Sequence, residues 1–124
     1  MLQFGHVVTL VQERADLDTV LVADRTTRAV LVVLGERLAA GGHWRVAAHL
    51  PAPLASELPA VGDGSVFGVD GFYERVADLA GVEPPVARSR ARTVVAVLRE
   101  LLPADTFDEI SRELPSEYDD LVAP

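Results

Sequence analysis

Residues 23–38 read ADRTTRAVLVVLGERL, and 64 residues further on, residues 87–102 read ARSRARTVVAVLRELL. In the first string Ala23, Thr27, Val30, Leu34 and Leu38 recur at spacings of 4, 3, 4 and 4, and Ala87, Ala91, Val94, Leu98 and Leu102 repeat that spacing in the second. Side chains three and four apart share one face of an α-helix, so each string is predicted to be a long helix with an apolar stripe. The valine-rich runs Val30 to Val33 and Val94 to Val97 would by propensity suit a strand, but their length and flanks decide for helix.

Outward from these strings the likeness continues, and Ala23 to Leu58 recurs at Ala87 to Val122. Arg28 pairs with Arg92, Glu36 with Glu100, and Leu50-Pro51 with Leu114-Pro115. Upstream, once one extra residue is allowed in the first copy, Val7 faces Phe72, Val11 faces Val76, Leu17 faces Val82 and Asp18 faces Glu83. The expectation is an all-α fold in which two tandem copies of a three-to-four-helix module pack as one pseudo-twofold domain. Repeat 1 covers about residues 1–58, a linker 59–71 and repeat 2 residues 72–124. A chain of 124 residues is large enough to bury about two thirds of its unfolded surface without disulfides or metals.

Start and stop signals agree with helices. Pro84 and Pro85 fit the first turn of the second long helix, where the missing amide is harmless, and Pro103 ends that helix as Gly41-Gly42 ends its counterpart. Thr106 followed by Glu109 reads as a capping box, predicting a helix from about Phe107 to Leu114. The Leu-Pro pairs break each copy near its end, and Ser116 is expected to cap a final turn carrying Tyr118, Leu121 and Val122, answered in the first copy by Leu54 and Leu58. Pro59 to Gly71 interrupts every periodicity and reads as a linker, with Val66, Phe67 and Val69 apolar enough to lie against the body.

Composition narrows the functional classes. Cysteine is absent, which removes disulfides, thiolate zinc sites and thiol nucleophiles and fits a reducing compartment. Every basic residue is arginine, as expected of a GC-rich coding sequence. Residues 1–62 net -1 and residues 63–124 net -7, giving the formal charge of -8. That balance argues against nucleic-acid and anionic-membrane partners. Met1 to Leu10 lacks a basic leader, and the apolar run Ala29 to Leu34 is too short to cross a bilayer, so a cytoplasmic protein is expected.

Three strings carry a resemblance: RAVLVVLGERL at 28–38, FYERVA at 72–77 and the Leu-Pro-X-Glu-Tyr close at Leu114 to Tyr118. Together they resemble the bacterial domain-of-unknown-function family 2267. The resemblance covers nearly the whole chain, is strongest from Phe72 to Leu121, and implies an all-helical domain of two tandem helical repeats. It implies no activity and supplies no catalytic or ligand-binding residues. The amino terminus departs from the pattern, with Phe4-Gly5-His6-Val7-Val8 where an acidic and aromatic first helix is usual.

Candidate chemistry is sparse. His6, His43 and His49 are the only side chains that titrate near neutrality unperturbed, but no two stand four apart on a helix and no His-Glu-X-X-His string exists, so no metal or cofactor is expected. Phe107 takes the place of His43 in the second copy, which suggests a packing position. Asp63 to Glu74 imitates a calcium loop at positions 1, 3, 6 and 12, yet Phe67 stands where an oxygen ligand belongs and Asp70 where an aliphatic residue is usual. The serines lie in no Gly-X-Ser-X-Gly setting and no phosphate-cradling glycine loop exists, so no enzyme and no catalytic residue is expected.

Arg88, Arg90 and Arg92, with Arg25 and Arg28, place cations on the first turns of both long helices, where the helix dipole does not favour them. Ion pairs with Asp108, Glu109, Glu113, Asp119 and Asp120 would explain them; a patch for an acidic partner or anion is the sharper reading. Of the large aromatic side chains, Trp44, Phe67, Phe72, Tyr73, Phe107 and Tyr118, most fall at module boundaries, where packing or a protein contact would use them. The function expected is a non-enzymatic interaction or self-association module. Its alternative is an anion-binding cleft at the seam between copies where Arg28 and Arg92 converge. Arg28, Arg92, Arg88 and Trp44 are the candidate contacts.

Overall fold

A valine-rich segment long enough for five turns and closed by glycines winds as helix because its stripe can be buried along its whole length. The computed structural model describes residues 3–51 and 66–123. They form α1 (Phe4–Arg14), α2 (Val20–Ala40), α3 (Trp44–Ala47), α4 (Val69–Ala80), α5 (Pro84–Leu101), α6 (Ala104–Arg112), a 3-10 turn (Ser116–Tyr118) and α7 (Asp119–Val122). Among the described residues there is no strand. Leu54, Leu58, linker positions 59–65, and Asp63 and Ser65 of the calcium-like string lie outside them.

Helix ends differ between the copies for local reasons. Ahead of α2 the Thr19 hydroxyl accepts the Val22 amide at 3.1 Å and caps the helix. In the second copy Pro84 and Pro85 occupy the first two positions of α5, so two of the amides that a cap would serve are absent. Ahead of both helices the chain turns through the left-handed region, at Asp16 with φ 53° and at Gly81 with φ 70°, positions that the upstream alignment pairs. α2 closes in a Schellman motif around Gly42 (φ 85°), in which the His43 amide bonds the Leu38 carbonyl and the Gly42 amide that of Ala39.

Positions paired by the offset are buried together. Ala23 and Ala87, Val30 and Val94, Val33 and Val97, Leu34 and Leu98, Leu38 and Leu102, and Leu50 and Leu114 are all core residues, as are Val7 with Phe72 and Val11 with Val76. Nearly all of them belong to one continuous apolar cluster, to which both long helices contribute. Each buried valine or leucine contributes about 1.5–3 kcal/mol. The packing is reciprocal: α1 lies on α2 and α5, and α4 lies on α5 and α2. Thr27, the counterpart of Ala91, is fully buried, and its hydroxyl finds no partner among the described residues.

Four local expectations need correction. Helix α6 begins at Ala104, not after Thr106, because Pro103 with its fixed φ starts the turn and Asp105 accepts the Thr106 amide at 3.0 Å; no capping box forms. Ser116 caps nothing, since the 3-10 turn already starts on it and Pro115 holds the cap position. The linker ends at Gly68, not Gly71, for α4 starts at Val69. Of its apolar residues Phe67 and Val69 pack against the core, whereas Val66 is exposed. The residues that would complete the calcium-like loop, 69–74, are helical.

Candidate functional site

Two polar knots tie the carboxy-terminal segment to the body. In the first, the hydroxyl of Tyr118 donates to the Phe67 carbonyl at 2.8 Å and Arg37 Nε donates to the same oxygen at 2.8 Å, with the guanidinium 5.6 Å from the Tyr118 ring. Glu117 Oε1 accepts the Val69 amide at 2.7 Å and so neutralises the start of α4. Gly68 permits that approach, because a Cβ there would collide with the Glu117 carboxylate. Arg75 covers the Phe67 ring at 4.1 Å and reaches Glu36 Oε2 at 3.2 Å. Around the knot Phe72 meets Tyr73 and Tyr118 edge-on, with ring centres 6.1 and 5.9 Å apart.

In the second knot Arg88 grips Asp120 with two nitrogens, at 2.9 and 2.6 Å, and the Tyr73 hydroxyl donates to Asp120 Oδ2 at 2.6 Å. The hydrogen bonds from Arg88 and Tyr73 hold the Asp120 carboxyl well below the usual carboxylate range. Burial, with Asp120 second, pushes the Tyr73 phenol far above its ordinary value. Burial likewise raises Tyr118 to about 12 against the opposing pull of Arg37. A phenol whose folded pKa is raised lends stability below its unfolded pKa, about 10, and that stability is lost as pH climbs through the folded value. Melting temperature is therefore expected to fall steeply between pH 10 and pH 12, and Tyr118→Phe should flatten part of that fall in circular-dichroism melts.

The remaining arginines separate by copy. Arg25 Nε donates to the Leu79 carbonyl at 3.2 Å, setting a cation at the carboxy end of α4, where the dipole welcomes it. Arg28 bonds Asp24 Oδ2 at 3.0 Å and lies 4.5 Å from the centre of the Phe4 ring. Both line a shallow apolar groove of ≈ 290 Å³ with Val32 and Leu79. Arg88, Arg92 and Arg99 line another, of ≈ 380 Å³, on the outer face of α5. Arg28 and Arg92 thus line different grooves. Among the carboxylates expected to pair with them, only Asp120 does so among the described residues.

Both knots lie within residues 5–121, the span matched by the family described as Uncharacterized conserved protein (DUF2267). The chain belongs to DUF2267. No curated protein and no solved structure matches it.

In this DUF2267 domain the histidines answer to partners that spacing alone did not reveal. His43 Nδ1 lies 2.9 Å from Glu113 Oε2 and His49 Nε2 lies 3.6 Å from Glu109 Oε2. The two carboxylates stand four apart, Glu109 on α6 and Glu113 at its C-cap, and meet residues that flank α3, so the signal was a pair on each of two distant elements. His6 and His49 also border a depression of ≈ 610 Å³ with Gln3, Pro103 and Thr106. Among the described residues no group of three His, Asp or Glu is placed to hold a metal ion. No described helix is long and apolar enough to cross a membrane. Trp44 opens α3 half exposed, and it lines neither arginine groove.

Proposed function

We propose that this DUF2267 domain is a non-enzymatic interaction module that binds protein, either a partner or a second copy, through the outer face of α2. Leu21 carries the reading. It is 78% exposed, flanked by Val20 at 54% and by the exposed Val22, on the first turn of a helix whose other side is core. Helix formation does not require them, since Thr19 already caps that end. Next to this turn lies the groove of Ala29, Val32 and Leu79, with Leu79 itself exposed and Arg25 and Arg28 at its rim. An apolar centre with a polar rim is how protein contacts are built. Trp44, 50% exposed, is a further aromatic anchor.

The polar groups that might have supported catalysis are instead consumed in ties: Asp120 by Arg88 and Tyr73, the Phe67 carbonyl by Arg37 and Tyr118. A cytoplasmic setting belongs to the proposal and is supported by the absence of cysteine. The formal charge of -8 supports a protein partner over nucleic acid.

Native mass spectrometry of protein isolated gently from its own cells tests this. A homodimer or a protein adduct is expected, and Leu21→Asp should weaken it at least about tenfold while helical circular dichroism stays unchanged. A strictly monomeric protein that retains no partner would remove the reading.

A further inference from the structure

The copies diverge in charge at equivalent places on the two long helices. In the first, Arg28 is answered one turn earlier by Asp24, at 3.0 Å. In the second, the position of Asp24 is Arg88, that of Val32 is Ala96 and that of Gly35 is Arg99. A neutralised pair has become a like-charged pair, Arg88 and Arg92, on successive turns, which costs a few tenths of a kcal/mol in an exposed helix. Of the three arginines only Arg88 bonds Asp120, and Arg92 acts on that carboxylate by charge without touching it. Arg92 makes no hydrogen bond or ion pair among the described residues, and Arg99 rests 4.8 Å from the Phe107 ring with no carboxylate partner among them. In a chain with a formal charge of -8, two guanidiniums with no hydrogen bond or ion pair among the described residues therefore line one groove of ≈ 380 Å³, with Ser89 and Thr93 beside them.

Arg92 and Arg99 are separated by two turns, about 10 Å along the helix axis. Between them the methyl of Ala96 leaves open the space that a valine fills in the first copy. A compact monoanion reaches one guanidinium at a time and meets the Asp120 carboxylate nearby. An elongated anion with charge at both ends satisfies both, and guanidinium forks bind phosphate oxygens two at a time. We propose that the outer face of α5 is a binding site for a small molecule carrying a phosphate chain, held by Arg92 and Arg99 across Ala96. The site is distinct from the apolar face of α2 and stands or falls separately from it.

Calorimetric titration of the full chain with tripolyphosphate, orthophosphate and citrate at constant ionic strength tests the proposal. Tripolyphosphate is expected to bind saturably and at least about tenfold more tightly than either of the others. Arg92→Ala and Arg99→Ala should each weaken it about tenfold or more, Arg92→Lys should weaken it less, and Ala96→Leu should block it without removing charge. Arg45→Ala, an exposed cation elsewhere, should change nothing. No saturable heat would overturn the assignment, as would citrate binding as tightly as tripolyphosphate. Equal weakening by Arg45→Ala would reduce the effect to general attraction and would also overturn it.

Discussion

Replacing Leu98 with aspartate is expected to abolish the cooperative unfolding transition of this domain at neutral pH. Leu98 is buried on the inner stripe of α5, in the same apolar cluster as its counterpart Leu34 and as Leu38 and Leu102. Removing the leucine side chain alone costs about 2–5 kcal/mol, because the close-packed surroundings collapse only partly into the space. Burying an unpaired carboxylate adds several kcal/mol more, since Leu98 has apolar neighbours and no cation is provided for it. The total stability of an ordinary domain is about 5–15 kcal/mol, so the two losses together reach the whole of it. Urea titration followed by far-ultraviolet circular dichroism checks the outcome. Leu98→Met, which keeps volume and polarity, should cost less than about 1.5 kcal/mol. A retained melting temperature in the aspartate variant would show that the long helices do not share a core.

The second large effect is expected at Tyr118. This side chain is 0% exposed, meets Phe72 edge-on and holds the Phe67 carbonyl together with Arg37, itself only 5% exposed. Tyr118→Ala is expected to cost about 3–5 kcal/mol, as ring-sized cavities do, and to loosen Arg37, which packs near the ring. Tyr118→Phe keeps the ring and leaves Arg37 bonded to Phe67, so its loss should be limited to about 1 kcal/mol. Denaturant titration of both variants separates the contributions. Equal losses would mean that the hydroxyl, not the packing, fastens the carboxy-terminal turn.

Both predictions rest on features of unequal visibility. The burial of Leu98 followed from spacing alone, because a period of 3.6 residues assigns a face without reference to the rest of the chain. The same reasoning placed Pro84, Pro85 and Pro103 at helix boundaries, and Gly41-Gly42 at the close of α2. Thr19 carried no such signal, and its hydroxyl becomes a cap only once the start of α2 is fixed at Val20. Thr106 misled in the opposite direction. Its capping-box pattern with Glu109 was genuine as a string, but Pro103 had already set the helix in motion, and Glu109 turned to His49 instead.

By itself, then, the sequence determined the duplicated pattern, the two long helices and the apolar faces they bury, because backbone chemistry and helical period act over a few residues. Tertiary structure decided which long polar side chains meet. Arg88 reached Asp120 and His43 reached Glu113 across more than thirty residues of chain, while Arg28 stayed with Asp24 and Arg92 was left unpaired among the described residues. An arginine or glutamate can span several directions at little rotameric cost, so its partner is chosen only after the helices have docked. Whether a cation is a tie or a free contact is for that reason a property of the packed fold.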